Sequence, residues 1–245
     1  MASARILALE FTDFLAAFIP VTIAQLLAAL AGSYYLRKIT YNKRTRYLVW
    51  FLWVTFFIEV IAAYAPIAFF SEYKFFSFVD NTPFSANYWL YNCFLPLGFV
   101  FFAYYFRTYI KAKQSRLIIK ITSVAYLAST VVNLLLTDVF FIGFSQYTNV
   151  SGTLLIFLAV VLFYFELLRS DILLRLKQFL PLYISIGVLI FNLCATPVDL
   201  FSDYFSPENN IFIKLRVNVL MYANIFMYLT FTLGFIVCSR KKRSS

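Results

Sequence analysis

Long uninterrupted apolar runs constrain this chain more than any other feature. Several of them approach 20 residues, among them residues 151–169 and 180–201. A helix of about 20 residues matches the hydrocarbon core of a bilayer. Across the chain, 62% of the residues are hydrophobic and only 13% are charged, which leaves too few polar side chains to cover a water-facing surface. The sequence therefore predicts an integral membrane protein.

Seven such runs predict seven transmembrane helices, because a helix satisfies its own backbone hydrogen bonds in lipid. The first run is too long for a signal-peptide core, and no small-residue cleavage site follows it, so we expect it to be retained. The predicted fold is all-α and polytopic, a single transmembrane domain over residues 1–245 with a basic cytoplasmic tail at 239–245. The predicted spans are 11–36, 47–70, 88–110, 117–140, 151–169, 180–201 and 214–238.

Basic residues predict the direction of the spans. Seventeen of the 21 Lys and Arg residues fall on one side of this topology, and the positive-inside rule makes that side cytoplasmic. The acidic residues show the reverse bias. We therefore expect the N-terminus in the periplasm and the C-terminus in the cytoplasm. The basic tail 240–243 is typical of an anchor to anionic lipid rather than of a nucleic-acid site, so membrane lipids are the expected partners and nucleic acid is not.

Missing residue types exclude several kinds of chemistry. The chain contains no histidine, which excludes Ser-His-Asp and Cys-His catalysis and histidine-ligated zinc or haem. Its three cysteines, Cys93, Cys194 and Cys238, lie far apart without metal-ligand spacing. The sequence predicts no metal, no cofactor and no enzymatic activity.

A short motif occurs twice in the chain. Residues 66–73 read PIAFFSEY and residues 197–204 read PVDLFSDY, at an offset of 131. We interpret this as a parallel 3+1+3 repeat, although short matches also arise by chance in an aromatic-rich chain. In the repeat interpretation, repeat A covers 11–110, a linker helix covers 117–140 and repeat B covers 151–238.

This topology resembles that of SWEET sugar transporters, rhodopsins and G-protein-coupled receptors, but their motifs are missing. A rhodopsin needs a lysine in the middle of span seven, and here Lys214 lies only at its edge. A receptor would show Asn-Pro-x-x-Tyr in span seven, whereas Asn224 is followed by isoleucine. The Pro-Gln pair of the PQ-loop transporters is also missing.

Four further motifs extend over most of the chain. They are FIEVI around Glu59, YWLYN at residues 88–92, YFELL around Glu166, and LPLYISIGVLIF at the start of span six. With these motifs the chain resembles a large family of uncharacterised bacterial seven-helix membrane proteins. The resemblance implies the fold and a place in the bacterial inner membrane, and it implies no known activity.

Glu59 is the one acidic residue expected in mid-membrane. If span two starts near residue 47, Glu59 lies about 18 Å from the inner edge of the bilayer. An ionised carboxylate that faced lipid there would cost roughly 2.5 kcal/mol or more, so we expect the side chain to face the bundle interior. No lysine or arginine lies at that depth, and a neutral carboxyl is therefore expected.

Other polar side chains at a similar depth predict a polar cluster in the outer half of the bundle. In a structural interpretation they bridge helices, since polar groups hold membrane helices together by about 1 kcal/mol each. In a functional interpretation they line a pocket for a small polar ligand or a proton. The predicted pocket residues are Glu59, Asn92, Asn133, Asn192, Asn224 and Tyr222, with Asp138 and Asp199 at the outer mouth.

Three features near the membrane surface have simpler interpretations. Glu166 and Arg169 are spaced to form a structural ion pair on one helix face. The aromatic loop 71–87 favours interfacial anchoring over partner binding. The segment 169–181 alternates basic and apolar residues, which predicts either a short amphipathic helix or the frayed ends of two spans.

Three functions are compatible with the sequence. The first is a small-solute transporter or outward-facing ligand sensor that uses the polar cluster. The second is an accessory subunit that docks laterally against other membrane proteins in a larger complex. The third is a lipid-acting membrane enzyme, and it is the weakest because it would need a site built from carboxylates alone.

Overall fold

The computed structural model describes residues 11–38, 42–201 and 210–239. This part of the chain is mostly helical and contains no strand, and seven of its helical segments are long and apolar enough to cross a membrane. The predicted all-α polytopic fold is thereby confirmed. Spans one to seven are Phe11–Lys38, Lys43–Ala62 continued by Tyr64–Phe70, Tyr88–Arg107, Lys113–Leu136, Gln146–Leu168, Leu180–Phe201 and Asn210–Ser239.

The observed helices differ from the predicted spans by up to five residues at their ends. Span five begins at Gln146 rather than 151, because the Ser145 hydroxyl caps it by accepting from the N–H of Thr148. Span four ends at Leu136 rather than 140, because Thr137 has an extended backbone. The predicted tail beyond Ser239 lies outside the described residues.

Six spans form a closed ring. Spans one, two, three, five, six and seven pack in this order, and span seven closes the ring against span one. Span four lies outside the ring, against spans three and five. Spans one to three thus follow the same order as spans five to seven, as a duplication requires, although spans six and seven pack far more closely than spans two and three. The duplication stays a prediction, and residues 202–204 of its second motif lie outside the described part of the chain.

The two ends of the bundle differ in charge and in packing. One end, here called the basic face, carries Arg37, Lys43, Arg107 and Lys113 among other cations. The half of the bundle next to it is packed with fully buried aromatic rings on spans three, five and seven. The end away from these cations, which bears loop 71–87, is called the open face. The main buried rings are Phe106, Phe163, Phe231 and Phe235.

Span two is interrupted at Ala63, close to Pro66. Proline has no N–H, so Pro66 leaves the carbonyl of Ala62 without its helical donor. The side-chain amide of Asn87 supplies that donor, at 2.9 Å. Pro20, Pro96 and Pro197 lie inside helices that continue past them. Of these four prolines, only Pro66 lies next to a break in its helix.

Two of the connections between spans contain 3₁₀-helix. Loop 71–87 forms two turns of 3₁₀-helix, Ser77–Val79 and Pro83–Ser85. The Tyr64 hydroxyl holds this loop by donating to the carbonyls of Phe84 and Ala86, at 2.7 and 3.1 Å. The amphipathic segment between spans five and six forms a 3₁₀-helix over Asp171–Gln178, which agrees with the first of its two interpretations.

Candidate functional site

A cavity of about 470 Å³ lies in the centre of the ring and extends from mid-bundle towards the open face. All six ring spans contribute to its wall, while span four contributes nothing. Cavities of 300–1,000 Å³ are the usual size for small-molecule sites. The polar and charged lining residues are Gln25, Thr55, Glu59, Asn87, Tyr91, Asn149, Thr153, Asn192, Thr196, Asp199, Arg216, Asn224 and Tyr228.

Glu59 lies on the wall of this cavity with one hydrogen-bond partner. The Tyr91 hydroxyl on span three donates to Glu59 Oε2 at 3.1 Å. Within the described residues, no second donor reaches the carboxyl group and no cation pairs with it. The Tyr228 side chain on span seven faces both Glu59 and Gln25. Spans one, two, three and seven therefore meet at this group of four side chains, here called the Glu59 cluster.

Gln25 is the buried member of the Glu59 cluster. Its side chain is only 3% exposed, and its Oε1 atom has no hydrogen-bond partner among the described residues. A buried acceptor without a donor costs about 1–3 kcal/mol. Such a cost is tolerated at positions where a bound molecule supplies the missing partner.

The opposite wall carries a hydrogen-bonded chain on spans five and six. Asn192 donates to the carbonyl of Val188 at 2.8 Å and accepts from the Thr153 hydroxyl at 3.1 Å. The hydroxyls of Thr153 and Thr196 lie 2.8 Å apart. These groups satisfy one another within the wall, so this side of the cavity is polar and preorganised.

An ion pair marks the cavity's mouth. Arg216 Nη2 lies 3.0 Å from Asp199 Oδ1, and the two side chains are 31% and 21% exposed. This partial exposure places the pair where the cavity reaches the open face. Because Asp199 is already paired, Glu59 is the carboxyl group on the cavity wall that lacks a cation within the described residues.

Aromatic rings complete the cavity wall and its floor. Phe51 on span two stacks with Phe94 on span three at a centroid distance of 5.8 Å and meets Phe102 edge-on at 5.3 Å. Phe102 contacts the fully buried Phe231 at 6.3 Å. Below these rings the aromatic core closes the bundle towards the basic face. The cavity thus joins a polar upper part to an aromatic lower part.

Four of the eight predicted pocket and mouth residues line the cavity, namely Glu59, Asn192, Asn224 and Asp199. The other four were predicted wrongly. Tyr222 is 65% exposed on the outside of span seven. Asn133 lies on span four, outside the ring, where it accepts from the Ser145 hydroxyl at 3.0 Å. Asp138 is exposed in the turn after that span.

Asn92, the fourth of these residues, fixes a loop instead of lining the cavity. It is 2% exposed, and its Nδ2 shares its two N–H groups among the carbonyls of Val139, Phe140 and Gly143, at 3.3, 3.1 and 2.8 Å. Its Oδ1 accepts from the N–H of Ser145 at 3.2 Å. The helix rotation that places Tyr91 towards Glu59 turns its neighbour Asn92 towards the segment between spans four and five.

The predicted ion pair between Glu166 and Arg169 is not formed in the described structure. Arg169 follows the last helical residue of span five, so its side chain no longer follows the helical spacing. Glu166 Oε2 instead accepts from the backbone N–H of Ala112 at 3.4 Å. Glu166 thus contacts the connection between spans three and four.

Several cavity residues were not among the sequence candidates. Gln25 carried a usable signal, because it is a single amide in an otherwise apolar stretch of span one. Arg216 falls on the same side of the predicted topology as Asp199, which could have suggested the ion pair between them. Thr153 and Tyr228 gave no signal, because threonine and tyrosine are common in membrane helices at lipid-facing positions as well.

The arrangement is suited to holding a small molecule by hydrogen bonds and charge. In the part of the chain that the structure describes, no group of three or more His, Cys, Asp or Glu side chains could hold a metal ion. No family model, no curated protein and no solved structure matches this chain.

Proposed function

We propose that this chain binds a small solute in the central cavity and works as a transporter or a ligand sensor in the bacterial inner membrane. The observation that carries this proposal is the cavity itself. Six spans direct polar side chains into one space of about 470 Å³, whereas polar groups that only bridge helices would pack directly against one another.

The shape of the cavity supports access from one side. Its mouth at Asp199 and Arg216 is partly exposed, while the rings of Phe106, Phe163 and Phe231 fill the bundle below it. If the basic face is cytoplasmic, as the positive-inside rule requires, the solute enters from the periplasm. Transport would then require spans to separate at the aromatic floor, whereas a sensor would keep the floor closed.

We propose binding rather than catalysis for this site. General acid–base chemistry on the cavity wall would need a second free proton donor or acceptor opposite Glu59. Asp199 is engaged by Arg216, and the amides and hydroxyls of the opposite wall bond to one another. These engagements favour a site that holds its ligand unchanged.

Filling the cavity is expected to abolish solute binding. Ala195 is buried on the cavity wall, so Ala195→Phe places a ring in the space that a ligand would occupy. Leu193 on the same span is exposed on the outside of the ring, and Leu193→Phe is the matched control. The protein is placed in lipid nanodiscs and screened with small polar solutes for an increase in melting temperature.

Solutes that stabilise the unchanged protein should stabilise Leu193→Phe equally and Ala195→Phe not at all. The proposal would be contradicted if all three proteins responded alike, because the solutes would then act outside the cavity. It would also fail if no solute in a broad set of amines, alcohols, acids and sugars bound to any of them.

A further inference from the structure

We propose that the solute is an organic ammonium ion, a protonated amine with a short apolar chain, held by the Glu59 cluster. This inference rests on the proposed solute-binding function and specifies its ligand. Three observations support it: unused hydrogen-bond acceptors, a carboxyl group without a cationic partner among the described residues, and aromatic rings in the lower part of the same cavity.

Two acceptor atoms of the Glu59 cluster have no donor among the described residues. Tyr91 donates to Glu59 Oε2, which leaves Glu59 Oε1 facing the cavity without a partner among the described residues. Gln25 Oε1 is likewise unpartnered in this part of the chain, and it is buried. Tyr228 lines the same cavity and interacts electrostatically with Glu59. A ligand that satisfies this cluster must supply N–H or O–H donors, and an ammonium group with two or three N–H groups does so.

The charges on the cavity wall favour a cation. Asp199 and Arg216 neutralise each other at the mouth. The wall therefore carries a net charge of −1 only when Glu59 is ionised, and a cation bound beside Glu59 would stabilise that ionised form. Among the described lining residues, the one cation is Arg216, which is paired with Asp199. An anionic ligand would therefore find no unpaired cation among these lining residues. A cation next to Glu59 compensates a carboxylate that is otherwise costly to bury in the membrane.

The aromatic lower wall accommodates the rest of such a molecule. Phe51, Phe94 and Phe102 present a continuous group of ring faces and edges in the lower part of the cavity that Glu59 also lines. Ring faces attract cations, and their apolar surface takes up short alkyl chains. An uncharged sugar could also supply O–H donors to this cluster, but it would bring no positive charge to pair with Glu59.

The test compares butylammonium with butan-1-ol, which match in length and differ in charge. Binding to the full chain in lipid nanodiscs is measured by titration calorimetry for the unchanged protein, Glu59→Gln and Glu72→Gln. Glu72 lies exposed in loop 71–87, so Glu72→Gln makes the same change of charge away from the cavity. Thermal unfolding without ligand establishes that each variant is folded.

We expect the unchanged protein and Glu72→Gln to bind butylammonium at least about tenfold more tightly than butan-1-ol, because hydrogen bonds to an ionised group are the stronger ones. Glu59→Gln should lose about tenfold or more of its affinity for butylammonium and keep its affinity for butan-1-ol. Equal binding of the amine and the alcohol, or unchanged amine binding by Glu59→Gln, would overturn the ammonium inference and leave solute binding standing. If neither probe binds and the cavity-filling screen also finds no ligand, both the ammonium inference and the proposed solute binding are contradicted.

Discussion

The Asn92→Ala variant is expected to lose about 3 kcal/mol of unfolding free energy, because the substitution removes all partners of a buried amide at once. Asn92 shares its two side-chain N–H groups among three carbonyls and accepts from one N–H in the segment between spans four and five. Each buried polar group left without a partner costs about 1–3 kcal/mol. Alanine cannot restore any of these bonds, and the segment is then held to span three by the ring contacts of Phe144 with Tyr88 and Tyr91.

The measurement is thermal unfolding in nanodiscs, followed by tryptophan fluorescence, with Asn224→Ala as the control. Asn224 donates only to the carbonyl of Leu220, one turn earlier on its own helix. Its loss should lower the melting temperature far less than the loss of Asn92. Similar shifts for the two variants would show that Asn92 does not organise the segment as the structure indicates.

A second large effect is expected at Gly152, where spans three and five meet. A Cβ atom at this position would overlap the ring of Phe99. The Gly152→Val variant must push that ring and the two helices apart, and such overpacking costs about 1–3 kcal/mol or more. The same unfolding measurement should show a clear decrease in melting temperature.

Gly143→Val is the matched control for this substitution. No atom lies within 4 Å of a Cβ built at Gly143, so the added side chain meets open space. Replacing Phe99 with leucine should restore part of the stability of Gly152→Val, because it removes the ring that the valine displaces. If Gly152→Val unfolds at the same temperature as Gly143→Val, spans three and five do not pack as closely as the structure has them.

The number of spans and the inward direction of Glu59 could both be predicted from the sequence. Each depends on properties of a single segment. Span number depends on local hydropathy and length, and the direction of Glu59 depends on the cost of exposing a carboxylate to lipid. The structure agrees on both, with seven membrane-length helices and Glu59 on the cavity wall.

Which other polar residues reach the cavity could not be predicted from the sequence. The depth of a residue in the membrane does not determine the direction in which its helix turns the side chain. Asn92 lies at a suitable depth, and the rotation of span three turns it away from the cavity. Asn133 does not reach the cavity because its entire span lies outside the ring. Helix rotation and ring order are set by packing between segments that are distant in sequence. Neither can be predicted from local hydropathy.

The central claim is that a solute-sized cavity on the bundle axis is reached from the open face. The direct measurement places a single cysteine at Asn224 on the cavity wall, in a chain whose Cys93, Cys194 and Cys238 are replaced by serine. Membrane vesicles of both orientations are treated with a membrane-impermeant thiol reagent. Lys74→Cys on the open face and Lys113→Cys on the basic face, both exposed positions, identify the two sides.

The account predicts that the cysteine at position 224 reacts from the side that labels position 74 and is protected from the other side. A reaction from the side that labels position 113 would contradict the closed aromatic floor. No reaction from either side would contradict the cavity itself.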